Sequence, residues 1–189
     1  MKRLFDLALG LFAAAVLVLP VLIVAILVRL TSPGPALYWS DRVGRRNAIF
    51  KMPKFRSMRI GTPAVATHLL QDPKVYLTPI GSFLRKSSLD ELPQLFNVLR
   101  GDMSLIGPRP ERPEFVAVLT EQLPYYDMRH AVRPGLTGWA QVRYRYGSSV
   151  QDALVKLQYD LYYIKHRGPF LDILILLHTL RTVLRMEGT

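Results

Sequence analysis

Two adjacent carboxylates and a proline-flanked arginine are the residues of this chain best suited to phosphate chemistry. Asp90 and Glu91 stand in the segment SLDELPQLF, and Arg109 follows in the segment GPRPE. An ionised carboxylate can act as a nucleophile or hold Mg²⁺. A guanidinium can bind two phosphate oxygens at once. The residue types and their order therefore indicate a site that handles a phosphate group.

The acidic pair also has a simpler interpretation, in which it serves only the helix. Ser88 and Glu91 fit a capping box, and acidic residues in a first helical turn suit the helix dipole. Pro93 argues against Ser88 as the cap, because the proline would then fall past the first turn and remove a helical hydrogen bond. We therefore predict a helix that begins near Asp90, with that carboxylate at its positive end among free backbone N–H groups.

The arginine has an alternative interpretation as well. Both neighbours of Arg109 are prolines, which restrict the backbone on either side of it. Taken alone, such a segment is typical of a rigid turn at the surface. Arg85 and Arg133 are further basic candidates for a phosphate, and each is weak evidence by itself.

The composition limits the partners of the chain. Its 189 residues include 25 Lys and Arg against 14 Asp and Glu, a net charge of +11, and 50% of them are hydrophobic. Such a charge calls for an anionic partner: nucleic acid, anionic lipid headgroups or a phosphorylated substrate. No element that reads nucleic acid is recognisable. We therefore expect no nucleic acid partner and favour membrane lipid and phosphate.

Cysteine is absent, which excludes disulfides, thiolate nucleophiles and Cys-ligated metals. The four histidines are far apart in the sequence and lack the spacing of metal ligands. We interpret them as ordinary surface or satisfied side chains: His68, His130, His166 and His178.

The amino-terminal segment predicts contact with a membrane. Leu7 to Val28 carries no charge, and a straight helix of that length, rising about 1.5 Å per residue, would cross the roughly 30 Å hydrocarbon core of a bilayer. The run is too long for the apolar region of a signal peptide. A membrane helix is therefore the first expectation.

The flanks of this segment leave its topology open. Lys2 and Arg3 precede it and Arg29 follows it, and positive charge prefers the cytoplasm on both sides. Pro20 lacks a hydrogen-bond donor and could bend the helix so that both ends stay on one face. A kinked helix that spans the bilayer is the alternative, since proline is tolerated there. The residues alone favour neither of these two topologies over the other.

We predict a mainly α fold with small β-hairpin elements. The remaining segments are assigned as follows: a hairpin around Gly44, a short amphipathic helix from about Asp90 to Arg100, a helix from Pro113, a small β-element within His130–Val142, a capped helix from Ser149 to Gly168, and a last amphipathic helix over Pro169–Arg185. We expect the last helix to lie in the membrane interface, with a buried core helix as the alternative.

Four segments of the sequence resemble the bacterial sugar transferases of the small monotopic phosphoglycosyl transferase family. They are SLDELPQLFNVLRGDMSLIGPRP, KRLFDL, FKMPKFRSM and HAVRPGLTGWAQV, and the resemblance covers nearly the whole chain. It implies transfer of a phosphosugar from a UDP-sugar to a polyprenol phosphate such as undecaprenyl phosphate. The products would be a polyprenyl-diphosphate sugar and UMP, in the first membrane step of bacterial glycan assembly.

The resemblance also implies a topology. Residues 1–30 would form a re-entrant membrane helix with a break at Pro20. Residues 31–189 would form a compact catalytic domain with interfacial helices on the cytoplasmic face of the inner membrane. The family commonly has Ser before this proline, whereas Leu19 stands here, so a hydroxyl contact that helps to hold the bend is in doubt.

Residue roles follow from the same resemblance. Asp90 would be the nucleophile that forms a covalent phosphosugar intermediate, Glu91 a neighbouring acid or base, and Mg²⁺ would sit against Asp90. Arg85 and Arg109 would neutralise phosphate oxygens. Four further positions fall in family-like segments and are candidates for the nucleotide pocket: Lys54, Arg133, Gln141 and Asp160.

The expected partners are a UDP-sugar, polyprenol phosphate and anionic membrane lipids. Contacts with downstream glycosyltransferases and a homodimer are left open, as is the identity of the sugar. The alternative function is a non-catalytic membrane-surface protein that recruits a partner in glycan assembly. A transferase that uses a CDP-activated donor is remote, because the spaced acidic cluster expected for its metals is missing.

Overall fold

The computed structural model describes residues 2–63, 72–144, 147 and 149–186. These residues are mainly helical with two small two-stranded sheets, which confirms the predicted fold class in its coarse form. The prediction for His68 lies outside the described residues.

One long helix comes first in the chain, and shorter helices and strands follow it. Within the described ranges they are α1 (Lys2–Thr31), β1 (Leu37–Val43), β2 (Ile49–Phe55), α2 (Gly81–Lys86), α3 (Leu95–Arg100), β3 (Ser104–Ile106), α4 (Pro113–Gln122), β4 (Gly135–Thr137), α5 (Trp139–Arg143), α6 (Val150–His166) and α7 (Pro169–Leu184). Short 3₁₀ helices cover Arg45–Asn47, Pro73–Tyr76, Leu89–Gln94 and Tyr126–Ala131.

The predicted hairpin is confirmed. Strands β1 and β2 pair antiparallel, with Val43 opposite Ile49 at the tip and Tyr38 opposite Lys54 near the base. Gly44 begins the turn, where an added Cβ would meet the Ala48 carbonyl oxygen at 3.1 Å. The strand pairing carries Lys54 to the end of the hairpin that packs against the 3₁₀ helix of the acidic pair.

The helix that we predicted from about Asp90 begins at Leu89, but its first part is a 3₁₀ helix and the α-helix starts only at Leu95. Pro93 explains the difference, because its missing N–H and its ring disfavour an α-helical turn there. Ser88 is left-handed, with φ 57°, and its side chain caps nothing. The expected free amides at Asp90 are also wrong in part, since the Glu91 N–H donates to the Ser88 carbonyl oxygen over 3.2 Å.

The first half of α1 is fixed to the rest of the protein by polar contacts. Asp6 is buried, and its carboxylate accepts hydrogen bonds from the Ser104 hydroxyl at 2.8 and 2.9 Å and from the Leu105 N–H at 3.2 Å. Lys2 Nζ lies 2.9 Å from a carboxylate oxygen of Asp172 at the start of α7. The amino-terminal end of α1 is therefore held against β3 and α7.

The second half of α1 is fixed by apolar contacts. Val24 and Val28 are buried in one cluster with Phe55 and Leu84. The helix continues through Pro20 without an interruption. By length and composition it is the one helix of the described residues that could cross a membrane, and an 18-residue stretch of it has a mean hydropathy of 3.2. Whether it re-enters one leaflet stays a prediction.

One buried apolar cluster lies between β2, α3, β3 and the last two helices. Ile106, Tyr163 and Ile175 are each at most 1% exposed there. The small β-element predicted within His130–Val142 is β4, which pairs in parallel with β3. The capping box of α6 is confirmed, because the Ser149 hydroxyl accepts the Asp152 N–H and the Asp152 carboxylate accepts the Ser149 N–H.

Helix α7 combines the two environments that we considered for it. Ile175 lies in the core, whereas Phe170, Leu177 and Leu184 are exposed on the same helix, Phe170 by 83%. One face therefore packs inward and another offers large apolar side chains to the surroundings. The interfacial position of that face stays a prediction.

Candidate active site

Glu91 is the centre of a cluster of charges. Its Oε1 accepts a hydrogen bond from Lys54 Nζ at 2.6 Å and one from Arg109 Nη2 at 2.6 Å. Arg109 Nη1 reaches Glu91 Oε2 at 3.4 Å. One carboxylate thus holds two cations that come from different parts of the chain.

Three separate elements bring these side chains together. Lys54 extends from β2, Glu91 from the 3₁₀ helix and Arg109 from the loop after β3. Two backbone hydrogen bonds join that loop to β4. The Gly107 N–H donates to the Thr137 carbonyl oxygen at 2.9 Å, and the Gly135 N–H donates to the Pro108 carbonyl oxygen at 2.8 Å. A Cβ on Gly135 would approach the Gly107 nitrogen to 2.1 Å, so only glycine permits this contact.

Asp90 lies beside the cluster but does not join it. Its carboxyl is buried, and it accepts no hydrogen bond and forms no ion pair with any residue that the structure describes. Burial raises the pKa of Asp90 to about 6, against the opposing charge of Lys54. The carboxylate is therefore mostly ionised at neutral pH.

The charges of the cluster decide the protonation of its members. Burial favours a neutral Glu91, but the charges of Arg109 and Lys54 outweigh it and hold the pKa of Glu91 well below its usual range. The pKa of Arg109 is raised, chiefly by Glu91. Burial lowers the pKa of Lys54, and the Glu91 charge opposes that change.

Arg85 lies near the same carboxylates. Its Nε donates to the Ser57 hydroxyl at 3.1 Å. Burial lowers the pKa of the Arg85 guanidinium, and the charge of Asp90 works against this shift. The structure therefore places Asp90, Glu91, Lys54, Arg85 and Arg109 near one another, and their role in binding a phosphate stays a prediction.

Arg129 is a member of the site that the sequence did not reveal. Its Nη2 donates to the Arg109 carbonyl oxygen at 2.9 Å and to Asp160 Oδ2 at 2.9 Å, and its Nη1 donates to the Tyr126 hydroxyl at 2.6 Å. One signal could have found it. Asp160 falls within the apolar stripe of α6, beside Leu161, and a buried carboxylate there requires a cationic partner.

Asp160 itself lies beneath the site. Only 2% of the residue is exposed, and burial raises its pKa to about 6 against the opposing charge of Arg129. The sequence resemblance makes Asp160 a candidate for a nucleotide pocket. The geometry gives its carboxylate a supporting position instead, because Asp160 pairs with Arg129, which in turn donates to the Arg109 carbonyl oxygen.

The other two pocket candidates lie elsewhere. Gln141 Nε2 donates to the Leu136 carbonyl oxygen at 3.4 Å, and its Oε1 is buried without a hydrogen bond from a described residue. Arg133 lines a separate cavity that also contains Lys2 and Arg3. In the described part of the chain, neither residue forms a hydrogen bond or ion pair with Asp90 or Glu91.

The residues at the site fit Mg²⁺ in one way only. The described residues contain no group of three or more His, Cys, Asp or Glu that could hold a metal. Mg²⁺ commonly binds through one or two carboxylates together with substrate phosphate oxygens and water. Asp90, whose carboxylate has no protein partner among the described residues, is the residue that would hold it.

Comparison with known proteins gives a consistent result. Residues 1–186 match the family described as bacterial sugar transferase. The UDP-N-acetylgalactosamine-undecaprenyl-phosphate N-acetylgalactosaminephosphotransferase of Aeromonas hydrophila is 44% identical, over 93% of this chain and 43% of the relative. The UDP-glucose:undecaprenyl-phosphate glucose-1-phosphate transferase of Xanthomonas campestris pv. campestris is 43% identical, over 86% of this chain and 34% of the relative.

A shorter relative matches over most of its length. The exopolysaccharide production protein PSS of Rhizobium leguminosarum bv. phaseoli is 41% identical, over 95% of this chain and 92% of the relative. The two transferases named above are longer, and this chain spans 43% and 34% of their lengths.

Proposed function

Because the chain belongs to the bacterial sugar transferase family, we propose that it transfers a sugar phosphate from a UDP-sugar to undecaprenyl phosphate. Relatives named for this kind of reaction match most of the chain. The observation that carries the proposal is the pairing of Glu91 with Lys54 and Arg109, directly beside the buried carboxylate of Asp90, which has no hydrogen bond or ion pair within the described ranges. The products are UMP and an undecaprenyl-diphosphate sugar.

The reaction proceeds in two displacements at one phosphorus atom. In the first, an Asp90 carboxylate oxygen attacks the β-phosphorus of the donor. The new oxygen–phosphorus bond forms while the bond to the bridging oxygen breaks, and UMP leaves with that oxygen. In the second, an oxygen of undecaprenyl phosphate attacks the same phosphorus, and the bond to Asp90 breaks. Asp90 suits this role because its pKa of about 6 leaves it ionised at neutral pH.

Lys54 and Arg109 neutralise the diphosphate. Both cations are already positioned by Glu91, so little reorganisation is needed when the donor binds. Arg85 adds charge on the side of Asp90. Glu91 holds these cations in place, and its predicted role as an acid or base stays a prediction. When bound, Mg²⁺ lowers the repulsion between a carboxylate and a diphosphate.

The membrane segment supports a position on one face of the bilayer. A straight helix with the 30 residues of α1 is about 45 Å long, enough to carry one end through a bilayer. Both ends nevertheless lie on the same domain, through Lys2 with Asp172 and through Val28 with Phe55. We therefore propose that α1 enters one leaflet, on the cytoplasmic side, without crossing it.

The covalent step has a direct test. The purified protein is mixed with UDP-sugars, including UDP-N-acetylgalactosamine and UDP-glucose, in the absence of undecaprenyl phosphate. We expect at most one UMP per site and a gain of one sugar phosphate on the peptide that contains Asp90. Asp90→Asn should abolish both signals, whereas Asp41→Asn, at an exposed pair with Lys51, should change neither.

Two outcomes would contradict the proposal at different levels. UMP release that strictly requires both substrates, without an adduct under rapid quenching, would indicate direct transfer and leave Asp90 as a metal ligand. No UMP from any donor, even with undecaprenyl phosphate present, would favour the non-catalytic recruitment protein.

A further inference from the structure

A second cationic site lies at the amino-terminal end of α1. A cavity of about 260 Å³ is lined there by five basic residues and one acidic residue, with other side chains around them. The charged residues are Lys2, Arg3, Asp6, Arg45, Arg133 and Arg167, and we call this site the basic cavity.

The basic cavity is separate from the site of Asp90 and Glu91. Arg45 follows β1 at the tip of the hairpin, whereas Lys54 lies near its base, opposite Tyr38. The extended strand between Ile49 and Lys54 alone covers about 17 Å. Among the described residues, no member of the Glu91 cluster lines the basic cavity.

The charges of the cavity are only partly neutralised by the protein. Lys2 pairs with Asp172, and Arg3 donates to the carbonyl oxygens of Val98 and Leu99. Among the described residues, Asp6 is the one carboxylate on the cavity wall, and its oxygens accept hydrogen bonds from Ser104 and Leu105.

Three guanidinium groups remain. The side chains of Arg45, Arg133 and Arg167 form no hydrogen bond or ion pair with another residue of the described ranges. Like charges gathered around one cavity repel each other, and a bound anion removes this repulsion. Several arginines are suited to a phosphate, because each can offer two parallel N–H groups to its oxygens.

The surroundings of the cavity indicate where the phosphate comes from. Leu4, directly after Arg3, is 73% exposed, and Phe170, three residues after Arg167, is 83% exposed. Exposed apolar side chains next to basic residues are typical of a surface whose apolar part enters lipid while its cations stay at the headgroups. The cavity would then lie at the depth of the lipid phosphates.

We propose that the basic cavity binds a phosphate group, independently of the donor site, and that the phosphodiester of an anionic phospholipid supplies it. Bound there, the lipid would hold the amino-terminal end of α1 and the start of α7 at the headgroup level. Inorganic phosphate offers the same chemistry from solution, so the test must distinguish these two sources.

The first measurement uses inorganic phosphate with the full chain in detergent. We expect phosphate to raise the unfolding temperature of the wild type in a saturable way. The double variant Arg45→Gln/Arg167→Gln should need a roughly tenfold higher concentration, since it loses two charged hydrogen-bond partners. The control Arg46→Gln/Arg185→Gln has the same net charge, alters arginines that do not line the cavity, and should behave as the wild type.

The second measurement counts the phosphatidylglycerol that stays bound after repeated detergent exchange. Retention that is lost in the cavity variant but not in the control would identify the lipid as the source. A difference in the phosphate titration alone would assign the cavity to soluble phosphate. Equal behaviour of the two variants in both measurements would overturn the proposal. Neither measurement records turnover, so the result is independent of the proposed function.

Unfolding of the cavity variant itself is not expected. Its two substituted side chains are exposed and have no partner in the described ranges, so without phosphate its unfolding temperature should equal or exceed that of the wild type.

Discussion

Arg109 and Glu91, 18 residues apart in the chain, face each other as a fork and a carboxylate, with Nη2 to Oε1 at 2.6 Å and Nη1 to Oε2 at 3.4 Å. The backbone of Arg109 is held from the other side by the buried Arg129. The guanidinium is therefore oriented before any substrate arrives. Its planar shape contributes, because two of its nitrogens can face the two carboxylate oxygens at once.

Arg109→Lys should separate the shape of this side chain from its charge. Lysine keeps the charge but cannot offer two parallel N–H groups, so we expect turnover of the donor to fall by roughly a hundredfold, the loss typical of one donor that stabilises developing charge. Membrane association should not change. Arg112→Lys is the matched control, because Arg112 pairs only with the exposed Glu114 among the described residues. Normal turnover in Arg109→Lys would show that a diffuse positive charge suffices.

Asp160→Asn should act on stability through Arg129. The change leaves a buried guanidinium without its counter-charge, which typically costs about 3–5 kcal/mol. A lower unfolding temperature in detergent would reveal the loss, and Asp41→Asn at the exposed Lys51 pair should stay close to the wild type.

Combining Asp160→Asn with Arg129→Gln should recover part of that stability, because both buried charges are then removed. Turnover should remain low in the double variant, since the backbone of Arg109 has lost its support. Full recovery of turnover would show that Arg129 does not position Arg109.

The rate of adduct formation should depend on the ionisation of Asp90. With a pKa of about 6, its nucleophilic form declines below that value, and single-turnover UMP release should fall about tenfold for each further pH unit. Measurement between pH 5 and 8 at fixed ionic strength tests this. A rate independent of pH across this range would contradict the raised pKa.

The same pKa predicts how stability depends on pH. Because the folded state raises the pKa of Asp90 from 3.8 to about 6, it favours the protonated carboxyl. The stability that the protonated carboxyl contributes is complete below the ordinary pKa of 3.8, and it is lost as the pH rises through the pKa of the folded state. Asp90→Asn should therefore be more stable than the wild type at neutral pH, by up to about 3 kcal/mol. The two proteins should converge towards pH 4.

The topology of α1 can be tested with cysteine labels, since the chain has no cysteine of its own. One label is added before Met1 and another replaces Asn47 in the exposed turn of the hairpin. In intact bacterial cells, a membrane-impermeant reagent should reach neither position, and both should react after permeabilisation. Labelling of the amino terminus alone in intact cells would establish a spanning helix.

Pro20→Leu extends this test. If the bend at Pro20 holds both ends on one face, its removal should expose the amino-terminal label in intact cells. An unchanged labelling pattern would indicate that the contacts of Lys2 and Asp6 with the domain are sufficient.

Local features of this fold could be predicted because their causes lie within a few residues. Gly44 predicted a turn, Ser149 with Asp152 a capped helix, and Gly101, with φ 103°, the end of α3. The acidic pair and the proline-flanked arginine likewise identified the candidate site. The α-helical start predicted near Asp90 was wrong, because the effect of Pro93 on the first turns depends on where the helix is capped.

The sequence by itself determined the family, the long apolar helix and the residue types of the site, since these depend on motifs, hydropathy and short-range geometry. Only the tertiary structure decided which charges meet. Lys54 reaches Glu91 through strand pairing, and Arg129 finds Asp160 31 residues away in a buried position. Such pairings depend on how separate elements pack and on the high cost of an unpaired charge in the interior. The spacing of residues along the chain reveals neither the packing of the elements nor the cost of an unpaired charge.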